Sequence, residues 1–243
     1  MTAARQHWVV LPAAGAGRRF GGPIPKQYLP LGGRRVIEHS LAVFVQHPLM
    51  AGCAVALSPE DEWWQETAYA HHPAVKRVAG GAERSDSVAH ALAALADQAS
   101  DDDWILVHDA ARPCLTTGDL DRLLAALLDE PVGALLAVPM HDTVKAAEDA
   151  FGARVERTLP RQQLWRAYTP QAFRLGQLRE ALAYCRAQGI AITDDASAME
   201  QLGLRPLLVE GRADNIKITR PEDLPLAEFF LEQARHRKRD QER

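Results

Sequence analysis

The sequence predicts a doubly wound α/β fold: a mostly parallel sheet covered by helices on both faces, with a protruding β-arm. Three observations predict it. Short, near-continuous apolar runs recur at Trp8–Leu11, Cys53–Leu57, Val75–Val78, Ile105–Val107 and Ala134–Val138. Amphipathic helical patterns lie between them at Val36–Val45, Asp61–Tyr69, Ser87–Ala96 and Leu120–Leu128. Apolar strands separated by helices belong to a parallel sheet buried on both sides. Third, several runs are followed at once by glycines and charged residues, where such sheets bind ligands, beyond the carboxyl ends of their strands.

The first strand feeds VVLPAAGAGRRFGGPIPKQY, residues 9–28. Gly15 and Gly17 carry no Cβ, so backbone N–H groups there can approach a phosphate closely. Arg18, Arg19 and Lys26 add cations, as a nucleotide triphosphate requires. A P-loop is excluded because no Gly-Lys-Ser/Thr occurs. A dinucleotide fingerprint fails because Phe20 stands at the third glycine position. Gly21, Gly22, Pro23 and Pro25 also forbid a helix until about Arg35. Glu38, at a tempting distance for a ribose-binding acid, falls inside the helical pattern Val36–Val45 rather than at a strand end.

The third strand is followed by Gly80-Gly81-Ala82-Glu83-Arg84-Ser85-Asp86-Ser87. Ser85 or Asp86 reads as the N-cap of the next helix, which leaves the glycine pair and Arg84 unexplained. After the fourth strand comes His108-Asp109-Ala110-Ala111-Arg112-Pro113. Asp109 at a strand tip either caps the turn or holds a divalent cation against phosphate oxygens. Near the end, the apolar run Leu207–Val209 precedes Glu210, Arg212, Asp214 and Lys217.

Residues 140–163 interrupt the pattern as a β-arm inserted in a single domain spanning 1–243. The stretch alternates like strand but holds little apolar mass, and Ala150-Phe151-Gly152 reads as a hairpin turn between Val144 and Val155. Such a hairpin needs another surface to lean on, and a second subunit is the expected one. Arg161 and Arg166 would then be carried away from their own core.

Composition limits the remaining classes. The 243 residues are 47% hydrophobic and 25% charged, with a formal charge of −4. That balance gives no reason to expect nucleic-acid binding, and the basic end, residues 235–243, reads as a solvated helix terminus. No apolar run reaches membrane-spanning length and no signal peptide is evident. Three widely spaced cysteines, Cys53, Cys114 and Cys185, suggest a reducing cytoplasm and argue against a disulfide framework or zinc site.

With these segments assembled, the chain resembles the 2-C-methyl-D-erythritol 4-phosphate cytidylyltransferase family of the non-mevalonate isoprenoid pathway. The resemblance rests on seven ordered stretches: PAAGAGRR with PKQYL, GGAERSDSV, VHDAARP, HDTVK, LPRQQLWRAYTPQAF, ITDDASAME and VEGRADNIKITRPEDL. Ala16 and Pro160 stand where the family often carries other residues. The resemblance implies a nucleotide-diphospho-sugar transferase type of sheet, a homodimer with exchanged arms, and transfer of CMP from CTP to methylerythritol 4-phosphate with release of pyrophosphate. By position it implies that Arg19 and Lys26 stabilise the transition state, and that Arg161 and Lys217 hold the substrate phosphate. Ala13, Ala14, Gly15, Gly81, Ala82 and Ser87 would cradle CTP. Asp109 would bind Mg²⁺, and Asp109, Arg112, Thr143, Thr169 and Thr193 would lie near the acceptor. Relatives that use ribitol 5-phosphate share the CTP segments, and a catalytically silent nucleotide-binding module is the alternative of another class. The chain ends soon after Arg220-Pro221-Glu222-Asp223-Leu224 and one helix, so no fused second enzyme is expected.

Overall fold

The computed structural model describes residues 5–15, 20, 22–149 and 154–241. In chain order the strands are β1 (His7–Pro12), β2 (Pro30–Leu31), β3 (Arg34–Arg35), β4 (Met50–Leu57), β5 (Val75–Ala79), β6 (Trp104–Val107), β7 (Gly133–Pro139), β8 (Val144–Ala147), β9 (Val155–Leu159), β10 (Trp165–Arg174) and β11 (Leu207–Glu210). The helices are α1 (Val36–Val45), α2 (Arg84–Leu95), α3 (Thr117–Ala126), α4 (Leu175–Ala187), α5 (Asp195–Gln201) and α6 (Asp223–Gln241). Seven strands form the central sheet in the order β11-β7-β10-β6-β1-β4-β5. All pairings in it are parallel except the two made by β10.

Strand alternation sorts the core into two layers. Val9, Leu11, Val55 and Leu106 face Ile37, Leu41 and Phe44 of α1 and Leu120 and Leu123 of α3. Trp8, Val10, Ala54 and Val107 face the opposite layer, made by α2, α4 and α5 through Val88, Leu92, Leu178 and Met199. A smaller cluster of Leu31, Val36, Cys114, Ile218 and Ala227 ties α6 to the β2–β3 corner. None of the described helices is long and apolar enough to cross a membrane.

All five expected strands and α1 form as read. Glu38 works as a cap: its carboxylate accepts the Arg35 and Ala68 N–H groups at 2.6 and 2.7 Å. The expected helix at 61–69 is corrected to turns with one 3-10 turn, Trp64–Glu66. Asp61 Oδ1 accepts the N–H groups of Trp63 and Trp64, and the Thr67 hydroxyl bonds the Trp64 carbonyl. The Asp61 bonds cap the turn, while Thr67 occupies the Trp64 carbonyl and Glu38 takes the Ala68 N–H, so the ladder does not continue. The N-cap of α2 is Glu83, not Ser85 or Asp86; Asp86 sits one turn in and accepts the Glu83 N–H at 3.2 Å.

Sequence reading missed β10, which lies between β6 and β7 and runs antiparallel to both. Its ladder with β7 shifts register between Ala167 and Gln171, and Pro170, which has no N–H to donate, falls in that bulge. The arm forms: β8 and β9 pair antiparallel, Val144 opposite Leu159, as a two-stranded sheet of their own. The expected turn at Ala150-Phe151-Gly152 lies outside the described residues.

Candidate active site

The carboxyl ends of β1, β5 and β6 open on a cavity of about 170 Å³. Ala13, Ala14 and Gly15 form one wall, Gly81, Ala82 and Ser87 another, and Lys26, Asp109 and Lys217 the floor. The Gln27 amide closes the first loop by donating to the carbonyls of Ala13 and Gly15 at 2.9 and 3.4 Å. A Cβ on Gly80 would come within 2.3 Å of Ala14 Cβ, and one on Gly81 within 2.2 Å of Asp86 Cβ. Gly80 therefore lets the second wall approach the first, and Gly81 lets the second loop fold closely onto the start of its own helix. Ser87 Oγ pins it by accepting the Gly81 N–H at 3.0 Å and donating to the Glu83 carbonyl.

A second cavity, of about 280 Å³, adjoins the first and is lined by Arg112, Tyr168, Thr169 and Thr193. The bulge in β10 delivers Tyr168 and Thr169 here. Three residues line both cavities: Arg84, Asp109 and Lys217. A larger cavity, about 1010 Å³, lies at the other end of the sheet near Arg5, Asp101 and Asp129. Strand topology places ligands at the opposite, carboxyl end.

Asp109 is buried among cations. Lys217 Nζ lies 2.9 Å from Oδ2, Arg84 Nε 3.1 Å from Oδ1, and Arg112 Nε 3.5 Å from Oδ2. Burial pushes the carboxyl pKa up, but Arg84, Lys217 and Arg112 hold it well below the usual carboxylate range. Arg84 also donates to the buried Asp195 at 2.8 Å. Burial lowers the Arg84 pKa, yet Asp195 and Asp109 more than offset this and leave it above its ordinary value. Lys217, Arg84 and Arg112 thus gather three cations around one carboxylate, a suitable receptor for phosphate oxygens.

The supports come from distant segments. Arg112 Nη1 donates to the Asn215 carbonyl at 2.8 Å and its guanidinium stacks 4.6 Å above the Tyr168 ring. The Ile218 N–H donates to Ala111 O at 2.9 Å, docking the Lys217 segment on the Asp109 turn. Lys26 Nζ reaches the Ile218 carbonyl at 2.8 Å. His108 Nε2 lies 3.1 Å from the Arg112 carbonyl, which can only accept, so that nitrogen carries the proton. Nδ1 then accepts from Thr169 Oγ1 at 3.0 Å, and Oγ1 accepts the Asp109 N–H at 3.1 Å.

The fold thus brings together Ala13, Ala14, Gly15, Lys26, Gly81, Ala82, Ser87, Asp109, Arg112, Thr169, Thr193 and Lys217. Arg19 lies outside the described residues. Thr143 and Arg161 line neither cavity; Thr143 precedes β8, and the exposed Arg161 donates to the His141 carbonyl at the root of the arm. Sequence reasoning assigned no role to Asp195, His108 or Asn215. The doublet Asp194-Asp195 opening a helix was the available signal for the first.

A profile of the 2-C-methyl-D-erythritol 4-phosphate cytidylyltransferase family matches residues 7–233. The chain belongs to this family. A relative of that name from Pseudomonas putida (strain GB-1) is 54% identical over 218 residues, 89% of this chain and 92% of the relative. One from Ectopseudomonas mendocina (strain ymp) is 55% identical over 232 residues, 95% and 98% of the two chains. The crystal structure of the Francisella tularensis 2-C-methyl-D-erythritol 4-phosphate cytidylyltransferase superposes with a TM-score of 0.80 at 36% identity, covering 93% of this chain and 99% of that one. The nucleotidyltransferase type of α/β sheet expected from the resemblance is therefore the fold observed.

The buried His108 has a pH consequence. Burial pushes its pKa down from 6.5 to about 4. Between those values the unfolded chain holds more protons, so stability falls as pH drops through that window, by about 3 kcal/mol from this residue. His7 and His39, also lowered chiefly by burial, act in the same direction. Urea unfolding at pH 7 and 4.5 should show the wild type losing stability on acidification and His108→Gln losing distinctly less. Equal slopes would contradict the buried neutral imidazole.

Proposed function

We propose that this protein transfers CMP from CTP to 2-C-methyl-D-erythritol 4-phosphate, giving 4-diphosphocytidyl-2-C-methyl-D-erythritol and pyrophosphate in isoprenoid precursor biosynthesis. In a chain of this family, the observation that carries the reading is the pair of cavities joined at Arg84, Asp109 and Lys217. Two anions must meet at one point, and a shared cationic junction is what their meeting requires.

The nucleophile is the acceptor's phosphate oxygen, already anionic, so no Ser or Cys nucleophile is needed. It attacks the α-phosphorus of CTP in line, and pyrophosphate leaves. In this reading Ala13, Ala14, Gly15, Gly81, Ala82 and Ser87 cradle CTP. Lys26 and Arg19 stabilise charge growing on the α-phosphoryl oxygens, and Lys217 and Arg161 hold the attacking phosphate. Asp109, Arg112, Thr143, Thr169 and Thr193 surround the acceptor. Among the described residues no group of three His, Cys, Asp or Glu forms a metal cage. A Mg²⁺ carried on the CTP phosphates would take Asp109 as its protein ligand, in exchange for one of the cations that hold that carboxylate here. The metal would neutralise phosphate charge there.

The arm supports a homodimer: among the described residues β8 and β9 pair only with each other, Val155 is 58% exposed, and Arg161 lines neither of the two cavities. Exchange across a two-fold axis would carry Arg161 and Thr143 to the partner's site. The three cysteines are free and buried, in keeping with a reducing cytoplasm.

Pyrophosphate release tests the reaction. It should require CTP, methylerythritol 4-phosphate and Mg²⁺, and EDTA should abolish it. Release with ribitol 5-phosphate instead would replace the acceptor, release with neither would make the protein a silent nucleotide-binding module, and undiminished turnover in EDTA would remove the metal.

Coexpression tests the exchanged arm. Lys26→Ala and Arg161→Ala should each give nearly inactive homodimers. A mixed dimer collects both lesions in one site and neither in the other, so random pairing should restore roughly a quarter of wild-type activity. No recovery, with heterodimers verified by differential tags, would place Arg161 at its own subunit's site.

A further inference from the structure

Asp195 is a wholly buried carboxylate to which the reaction outlined above gives no task. Its Oδ2 accepts from Arg84 Nη2 at 2.8 Å across 111 residues of chain, and its Oδ1 has no hydrogen-bond partner among the described residues. Replacing both members of a buried ion pair by apolar residues of similar volume is often neutral or stabilising, so the pair is weak evidence of a role in stability alone. Its neighbour Asp194 is accounted for separately: it caps α5 through the Ser197 N–H and accepts the Gln171 amide.

The geometry around Arg84 supplies the missing reason. One edge of its guanidinium, through Nε, holds Asp109 Oδ1, and Nη2 holds Asp195. The Arg84 side chain is 28% exposed and lines both cavities, so arriving phosphates compete for it. Held by Asp109 alone, the guanidinium could swing toward those phosphates and leave Asp109 to Lys217 and Arg112. A second carboxylate on Nη2 opposes that movement. Asp195 also stands two residues after Thr193, which lines the second cavity, while Arg84 opens α2 just beyond Gly81 and Ala82 of the first. The ion pair therefore spans the two walls of the junction.

We propose that Asp195 is a positioning residue for the transfer reaction, acting through Arg84 to keep the Asp109 carboxylate in place when the anionic substrates enter. The proposal rests on the assignment of Asp109 to the reacting phosphates, and Asp109→Asn tests that assignment by itself.

Steady-state kinetics of Asp195→Asn, Arg84→Lys and the double variant test the proposal, with folded protein quantified by circular dichroism. Asp195→Asn, nearly isosteric but uncharged, should lower kcat on the order of 10–100-fold, as loss of an outer support of a ligating group does. KM for CTP should stay level or fall, because a released Arg84 adds to ground-state phosphate binding. Arg84→Lys should lower kcat similarly, since a point-charge ammonium cannot span two carboxylates. The double variant should be no worse than Arg84→Lys alone, because both lesions break one link. A kcat for Asp195→Asn within about threefold of wild type per folded enzyme would overturn the proposal, as would losses that multiply in the double variant. If Asp195→Asn does not fold, Arg84→Lys at near wild-type kcat overturns it. Near-full activity in Asp109→Asn would overturn the assignment of Asp109 instead, whatever the Asp195 variant does.

Discussion

The carboxylate of Asp109, buried and held by Lys217, Arg84 and Arg112, is the interaction on which the rest of the site depends. Each cation comes from a different part of the chain: the segment after β11, the start of α2 and the turn after β6. A buried carboxylate without these partners would take up a proton, and the cations without it would repel one another. The cluster locks three loops together and gathers three cations where the two cavities meet. Fixed charges of this kind need no reorganisation when phosphates arrive, which is the main advantage a folded site has over water.

The fold delivers these groups through sheet topology and close backbone approach. The parallel strands β1, β5 and β6 end at the same edge of the sheet, so the loops that follow them converge. Gly80 lacks the Cβ that would keep two of those loops apart, and Gly81 the one that would collide with Asp86 of its own loop. The antiparallel β10 adds a bulge at the same edge, which turns Tyr168 toward Arg112 and Thr169 toward the Asp109 turn. His108, buried and neutral, joins Thr169 to the Arg112 carbonyl and so fixes the turn from beneath.

Much of this was legible in the sequence because the signals were local. Continuous apolar runs mark strands buried on both faces, and the residues directly after them are the ones that line the cavities. The family was legible from seven ordered stretches, and the comparisons place the chain there. The failures came where local pattern lost to other contacts. Residues 61–69 carry a helical apolar pattern, yet the Ala68 N–H goes to Glu38 and not to the Trp64 carbonyl, which takes the Thr67 N–H and hydroxyl instead. Pro170 hid β10, since a proline in the interior of a central strand argues against the strand unless a bulge accommodates it. The Arg84–Asp195 pair was out of reach, because no periodicity relates residues 111 positions apart.

The most direct test of this account is the titration of Asp109 itself, followed by ¹³C-carboxyl NMR and assigned by difference against Asp109→Asn. With three cations holding it, the carboxyl resonance should stay at its ionised position from about pH 6 to about pH 3.5, where an ordinary aspartate is already mostly protonated. A resonance that moves through its midpoint near the ordinary value of about 3.9 would contradict the cationic clamp at the centre of the site.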